Sequence, residues 1–469
     1  MNISKYSTYF KYIFALLLFW QTCYCPTDVY LSNNTPFKLK ITVKVSGDME
    51  LEFGEHYEVK ETIIEPWNRE LIMKINRHKL PGRLLRKVNY FFETAIEVYK
   101  DGEVFLAPVL LEQVLTVPSV GIVSDMAYGV LGGDRPEMLQ KGLVQLNWQD
   151  NGRNIDVFCD DFPSGNFHDI EYAFGFRPFS SASFDERINV LHLFHYNIWM
   201  RPLIAFPHDG QVKRAKMIPP MIPGFFEQFK PDIVEFNEVF STKAEKKLRK
   251  RMDFEGYTYS TEVIGKSFDK SEKATKKLGN GGVVLFSHWP IEDWDEIQYS
   301  DCYAEDCIAA KGALYAMINK NGVRYHIFAT HVQADTGNVE DCKDTREKQF
   351  KVLRAFIDHQ INVGKIKDEE PIIIMGDFNV KQHDTQEYEK TIEELRGINP
   401  ENVGCEVSHE GEKAILDYIV FDRDHLHPQT AYLNVMKVRS RLPWNTGGPN
   451  LAMRFWPSDH YPVYGYFEF

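Results

Sequence analysis

Beyond its N-terminus this chain of 469 residues has no apolar run approaching the roughly 20 residues that a membrane-spanning helix needs. It has no Cys-x-x-Cys pair, and its 15 histidines are scattered, which argues against a structural zinc site. It is short of positive charge: 54 Lys and Arg face 67 Asp and Glu, for a net charge of −13. Affinity for nucleic acid rests largely on cationic contacts to phosphates, so no nucleic-acid partner is expected. A zwitterionic or cationic head group suits this balance better. There is no internal repeat and no low-complexity segment, which excludes a solenoid or a disordered array.

What is present points to a globular protein of two domains, with 43% hydrophobic and 26% charged residues. The aromatic share of 14% is high and leaves some rings for a surface that meets lipid or sugar. Lys5 and Lys11, the apolar Tyr12 to Trp20 and the short stretch Gln21 to Cys25 read as a signal peptide over residues 1–25, so secretion to an extracellular location is expected. The alternative is a retained signal anchor, for which the apolar run is about half the length required. Outside that segment stand Cys159, Cys302, Cys307, Cys342 and Cys405, enough for one or two disulfides and a leftover thiol. Asn33-Asn34-Thr35 is an acceptor sequence for a glycan.

Residues 27–180 read as a β-rich domain and linker. Phe37 to Val45 alternates apolar and polar side chains, as a half-buried strand does. Glu50 to Phe53 and Thr62 to Ile64 continue the pattern. Tyr90 to Tyr99 and Val104 to Leu115 flank Asp101-Gly102, a hairpin signal. The polar stretch Asp160 to Arg187, with its Gly, Ser and Pro, is expected to link this β-sandwich to the next domain. No catalytic cluster falls within it. From residue 187 to 469 strands and helices alternate. Strands are expected at Asn189 to Phe194, Ile233-Val234, Val283 to Phe286, Gly312 to Ile318, Tyr325 to Ala329, Ile372 to Met375, Tyr418 to Phe421 and Tyr461 to Phe469. Helices are expected over 221–229, 243–252 and 345–360, the last with Phe350, Leu353, Phe356 and Ile357 on one face. This order fits an α/β sandwich with two central sheets and functional residues at the strand ends.

Six short blocks carry the chemistry: His195-Tyr196-Asn197, Glu235-Phe236-Asn237-Glu238, Thr330-His331-Val332-Gln333, Gly376-Asp377-Phe378-Asn379, Leu416-Asp417-Tyr418 and Ser458-Asp459-His460. Each alone is an ordinary strand end, turn or cap. Asp377 and Asn379 are two apart on an extended segment, so they share a face. Together the blocks supply what a metal-dependent phosphodiesterase needs. A hard ion such as Mg²⁺ wants oxygen ligands and keeps several waters. Glu238 is the natural ligand, with Asn197 and Asp459 beside it. A phosphodiester needs a polarised oxygen, an activated water and a protonated leaving alkoxide. His460 is the expected base, oriented by Asp417. Asp377 and Asn379 would position the water and phosphoryl oxygens, and His331 would assist the leaving oxygen as acid or hydrogen-bond donor.

The set resembles the endonuclease/exonuclease/phosphatase superfamily, and within it the secreted sphingomyelinase C enzymes of the bacterial type. The resemblance covers residues 188–469. It is carried by Ile233 to Phe240, Gly279 to Val283, Ser287 to Ile291, Lys311-Gly312, Thr330 to Ala334 and Ser458 to Val463. It implies a four-layered DNase I-like α/β sandwich following the β-rich sandwich. It also implies hydrolysis of sphingomyelin in a membrane surface to ceramide and phosphocholine, with Mg²⁺, for which Mn²⁺ or Co²⁺ can substitute. It further implies a disulfide from Cys302 or Cys307 to Cys342, and a membrane-contacting hairpin, here Trp444 with Phe455 and Trp456. For the tryptophans, packing against the sandwich rim is the plain alternative.

Three rival functions remain. A secreted DNase-type nuclease would use the same metal and histidines but needs a basic groove, for which only Lys243 to Arg251 and Lys266 to Lys277 offer material. A phosphoinositide phosphatase fits a secreted chain poorly. A non-catalytic lipid-surface protein would be expected to have lost part of the set.

Overall fold

A computed structural model describes residues 27–46, 57–59, 61–75, 88–117, 125–131, 142–150, 153–164, 166–176, 182–202, 205–206, 209–226, 228–265, 277–440, 444–445, 453–454 and 456–469. The proposed signal peptide and Glu50 to Phe53 lie outside these residues. The chain divides into two compact units, Met1–Arg177 with Arg441–Phe455, and Pro178–Ser440 with Trp456–Phe469.

The first unit is built of strands. They are β1 (Thr27–Asn34), β2 (Lys38–Ser46), β3 (Tyr57–Val59), β4 (Thr62–Ile64), β5 (Arg69–Ile75), β6 (Val88–Lys100), β7 (Glu103–Val117), β8 (Asp125–Leu131), β9 (Gly142–Asp150), β10 (Arg153–Ser164) and β11 (Asn166–Phe176). They form one sheet in the order β3-β5-β1-β11-β10-β9 and another in the order β4-β2-β6-β7-β8. Alternate residues of β2 are buried, Leu39, Ile41 and Val43. Asp101 and Gly102 both take positive φ, 53° and 87°, the conformation a two-residue hairpin turn demands between β6 and β7.

The expected linker is corrected. Residues 160–176 complete β10 and form β11, and β11 pairs in parallel with β1 inside the sheet. Ile170, Tyr172, Phe174 and Phe176 alternate through this stretch, and that period outweighs its Ser, Gly and Pro content.

The second unit has two more sheets. The first contains β12 (Val190–Asn197), β13 (Ile233–Asn237), β14 (Tyr259–Ser260), β15 (Val284–Ser287), β21 (Glu401–Asn402), β23 (Thr430–Val435) and β26 (Val463–Glu468), in the order β14-β15-β13-β12-β26-β23-β21. The second contains β16 (Ile291–Gln298), β17 (Gly312–Lys320), β18 (Val323–His331), β19 (Ile372–Asp377), β20 (Gly397–Ile398) and β22 (Asp417–Asp422), in the order β16-β17-β18-β19-β22-β20. Leu191, Leu193 and Ile233 of one sheet join Ile327, Ala329, Ile373, Met375 and Ile419 of the other in a single buried core. The opposite face of the first sheet, with Phe194, Val234 and Phe286, packs on helices α1 (Gln211–Met221) and α2 (Thr242–Phe254). The opposite face of the second, with Phe328, Ile374 and Val420, packs on α3 (Val339–Asn362), flanked by α4 (Thr385–Glu394). Helix, sheet, sheet and helix give the four layers of a DNase I-like sandwich.

The helix expected over 221–229 lies elsewhere. Helix α1 ends at Met221, and Pro223–Phe225 makes a single 3-10 turn. Phe226 is extended, and Ser183 exchanges backbone hydrogen bonds with Gln228 and Lys230, which holds the chain open there. Among the described residues no helix is long and apolar enough to cross a membrane.

Candidate functional site

Strand period decides where the polar blocks fall. In β12 the odd positions Leu191 and Leu193 face the other sheet, so His195 and Asn197 continue that face. In β13 the same parity carries Ile233, Glu235 and Asn237; in β19 it carries Ile373, Met375 and Asp377; in β22, Asp417, Ile419 and Phe421. Strand pairing then aligns them. His195 sits opposite Glu235, His331 opposite Asp377, and Asp377 opposite Asp417. The polar ends of five strands thus meet at one end of the inter-sheet core, with His460 just before β26. Gly376 makes one close approach possible: its φ is 146°, and a Cβ there would lie 1.9 Å from the carbonyl oxygen of Thr330.

Asp417 is the hub. Its Oδ2 is 2.8 Å from His460 Nδ1, and its Oδ1 is 2.7 Å from His195 Nε2. The other ring nitrogen of His195 bonds Glu235, which Asn237 also contacts, and Ser408 Oγ donates to Asp417 Oδ2 at 2.5 Å. Burial works to raise Asp417, but the charge and hydrogen bonds of His460 and His195 outweigh it and hold the carboxyl well below the usual range. Burial opposes charge on His195 as well, yet Glu235 and Asp417 lift it to about 10. His460, between Asp417 and Asp377, is likewise raised well above an ordinary histidine against the effect of burial. Its Nε2 lies 3.6 Å from Asp377 Oδ2. Ligand-type atoms of Asp377, Asp417 and His460 lie within 4.8 Å of one another.

Glu238 is placed next to this cluster in the left-handed region, with φ 62°, a conformation costing about 1–2 kcal/mol for an L-residue. Flanking backbone bonds hold it there, Met200 N to Glu238 O at 3.0 Å and Val239 N to Gly282 O at 2.9 Å. Burial first, and then the negative charge of Asp459, raise its carboxyl to about 7. A buried carboxylate raised by a neighbouring carboxylate is a donor set that fits a hard divalent cation.

Asn197 sits between Glu238 and Asp377. Its Oδ1 accepts the Trp199 N–H at 3.1 Å, which turns its amide NH₂ toward Glu238 Oε1 at 3.2 Å and Asp377 Oδ2 at 3.0 Å. Its amide thus bridges Glu238 to Asp377 as a donor. Asn379 (φ 50°) donates its side-chain amide to Val332 O at 3.2 Å, and its own N–H to Asp377 Oδ1 at 2.9 Å.

His331 is buried beside Asp377, with Nε2 at 3.8 Å from Asp377 Oδ2. Burial, then the charges of Lys311 and His460, push its pKa well below that of an ordinary histidine, so the ring is neutral. Its Nδ1 is buried and has no hydrogen-bond partner among the described residues.

Sequence reasoning assigned no role to His195, Glu235, Ser408 or Lys311. Parity could have found the first two, because each is a polar residue on the inner face of a strand buried on both faces, two positions before an inward asparagine that ends it. Ser408 reaches Asp417 from a loop and leaves no local pattern.

Other expected features are corrected. The disulfide joins Cys302 to Cys307, five positions apart, while Cys342 is a buried free thiol bonded to the backbone oxygen of Thr336 at 3.2 Å. The short 3-10 turn Ala304–Ile308 folds the two partners together, and Cys342 is held on α3 instead. Cys405 is also free, and the side chain of Cys159 lies outside those described. Asn33 of the glycan sequence is fully buried, and its amide donates to the carbonyls of Phe37, Ile64 and Glu65, so no nitrogen is presented for a sugar. Trp444 forms the short strand β24 (Trp444–Asn445), paired with β25 (Met453–Arg454); its side chain and Phe455 lie outside the described residues. Trp456 is half-buried against the inter-sheet core, 5.3 Å from the Tyr461 ring and covered by Arg439 at 4.8 Å, which is rim packing.

The chain is similar to proteins of known kind. It is 33% identical over 362 residues to a sphingomyelinase C of Leptospira interrogans, an alignment covering 71% of this chain and 62% of that protein. It spans only about half of the length of two further Leptospira relatives, 48% and 49%. Among solved structures, the β-toxin of Staphylococcus aureus with bound magnesium ions matches at 26% identity and a TM-score of 0.55, over 59% of this chain and 99% of the toxin. A sphingomyelinase C of Streptomyces griseocarneus matches at 25% identity and a TM-score of 0.54, over 60% and 99%. The profile described as "Endonuclease/Exonuclease/phosphatase family" matches residues 195–460. That match runs from one of the two imidazoles that Asp417 bridges to the other, and the chain belongs to the endonuclease/exonuclease/phosphatase family.

Proposed function

We propose that the second unit is a Mg²⁺-dependent phosphodiesterase that hydrolyses sphingomyelin at a membrane surface to ceramide and phosphocholine. The observation that carries the chemistry is the buried line Glu235–His195–Asp417–His460, which ends beside Asp377 and Glu238. The similarity to proteins named sphingomyelinase C supports the substrate. Glu238 and Asp459 would hold the cation, which supplies Lewis-acid polarisation of the phosphoryl oxygen. With a cation held beside it to offset the carboxylates that raise its pKa, His460 Nε2 would take the proton of the attacking water; Asp417 fixes the ring through Nδ1, and His195 with Glu235 fixes Asp417. Asp377 and Asn379 orient the water and the phosphoryl group. His331, being neutral, donates from a ring N–H to the leaving oxygen without acting as a charged acid. Mn²⁺ or Co²⁺ in place of Mg²⁺, and secretion by way of residues 1–25, belong to the same proposal.

The test is phosphocholine release from sphingomyelin vesicles with Mg²⁺ and then with EDTA. Metal-dependent release is expected. A folded protein that releases none but nicks plasmid DNA would replace this reading with the nuclease one.

A further inference from the structure

Lys311 stands at the start of β17, 4% exposed, in contact with His331 and outside the roles assigned above. We propose that Lys311 is a positioning residue that fixes the ring tautomer of His331, with the proton on Nδ1, and so sets which nitrogen donates during turnover. The proposal rests on the phosphodiesterase reading of the site for its consequence, and on geometry alone for the tautomer.

A lysine ammonium has three N–H donors and no acceptor. All three are accounted for: Asp306 Oδ2 at 2.6 Å, Val332 O at 2.7 Å and His331 Nε2 at 3.2 Å. A nitrogen facing an ammonium must offer its lone pair, so Nε2 is the acceptor and the ring proton sits on Nδ1. Nδ1 is the buried atom without a hydrogen-bond partner among the described residues. A buried donor without a partner is the feature expected where an incoming oxygen completes the site. The same lysine charge lowers the proton affinity of the ring, which agrees with a neutral His331.

Lys311 is itself held in place. Asp306 lies between Cys302 and Cys307 in the disulfide loop, and its Oδ2 also accepts the Ala334 N–H at 2.8 Å. The pair therefore grips the segment just after His331 at two points, Val332 O and Ala334 N. Asn379 shares the Val332 carbonyl, which ties the lysine to the residue two positions after Asp377. A lysine that only tethered the loop would need Asp306 and Val332 and no contact with the imidazole.

The experiment is ¹⁵N NMR of the full chain labelled in its histidine rings, across pH 5–8, with kinetics on a water-soluble choline-phosphate diester. In the unmodified protein His331 is expected to show a protonated Nδ1 and a bare Nε2. In Lys311→Met the two tautomers mix, kcat falls roughly 10- to 100-fold with KM little changed, and a new acidic limb appears as the ring titrates. Lys311→Arg, which keeps the charge, recovers part of kcat. A His331 proton on Nε2 in the unmodified protein overturns the proposal without any variant, so poor folding of Lys311→Met does not shield it. So does an unchanged tautomer in folded Lys311→Met. A protein inert toward choline diesters sinks the phosphodiesterase reading, while the ring measurement still decides the tautomer.

Discussion

At the end of the second unit away from His460, Lys320 reaches from β17 to Asp232, just before β13. Its three donors go to Asp232 Oδ1 and Oδ2, both at 2.9 Å, and to Val190 O at 2.7 Å. Asp232 accepts further bonds from Trp289 Nε1 at 2.6 Å and His192 N at 2.8 Å. Next to it, Asp185 holds both Arg187 and His192. Every charge there meets its opposite. At the His460 end, Glu235, Glu238, Asp377, Asp417 and Asp459 crowd around two imidazoles, burial raises Glu238, and His331 Nδ1 goes unpaired. Both ends bury charge at opposite termini of the same strands, β12, β13 and β17. One end is closed electrostatically and serves to fasten the two sheets. The other is left in deficit, as the proposed binding of a cation and an oxyanion requires.

The largest effects should separate the two ends. Replacing His460 with Ala should lower kcat by about 10²–10⁴-fold while the melting temperature stays within a few degrees. Replacing Asp232 with Ala should do the reverse. It leaves the Lys320 ammonium buried without its counter-ion, which costs about 3–5 kcal/mol of stability, and leaves kcat per folded molecule near its original value. Urea denaturation and steady-state kinetics on both variants check the pair. Equal damage to kcat from both would mean that the two ends are not separable in this way.

A smaller effect should sharpen the contrast. Glu238→Gln removes one of several like charges from a dry site, so it should stabilise the protein by about 0.5–2 kcal/mol as it abolishes activity. A charge-neutralising change at the balanced end, Asp232→Asn, should never stabilise. Denaturant midpoints without added metal read both; a destabilised Glu238→Gln would show that its carboxylate already has a compensating partner.

The site end was readable because strands have a period of two. Once Leu191 and Leu193 are placed inside, Asn197 must follow them, and the same holds for Asp377 after Ile373 and Met375. The Asp101-Gly102 hairpin was readable because both residues must take positive φ. The balanced end was not readable: Lys320, Asp232 and His192 come from three strands or strand ends, each an ordinary charged residue until register brings them together. The disulfide failed for a related reason. Pairing depends on how a five-residue loop closes, and spacing along the chain carries no information about the turn Ala304–Ile308. The stretch 160–176 misled because its Gly, Ser and Pro masked an alternation that was present all along.

The smallest predicted effect is a pH dependence belonging to the balanced end. Burial works to raise Asp185, but the hydrogen bonds from Arg187 and His192 outweigh it and hold the carboxyl well below the usual range. Burial lowers His192 despite Asp185. A depressed carboxyl contributes stability above its unfolded value near pH 4, and that contribution is lost as pH falls toward the folded value. A depressed histidine behaves in the same direction: below about pH 6.5 the unfolded chain binds a proton that the folded chain resists, so stability falls with pH. Between pH 6.5 and 5 only the histidine contributes from this pair. His192→Asn should therefore flatten the stability profile in that window by at most about 1.4 kcal/mol per pH unit, the weight of one proton. It should leave the loss that sets in below about pH 4, where the unfolded Asp185 carboxyl binds a proton that the folded one resists. Denaturant midpoints at half-unit steps resolve the two windows, and a profile unchanged by His192→Asn would mean that the neutral histidine is not what links the closed end to pH.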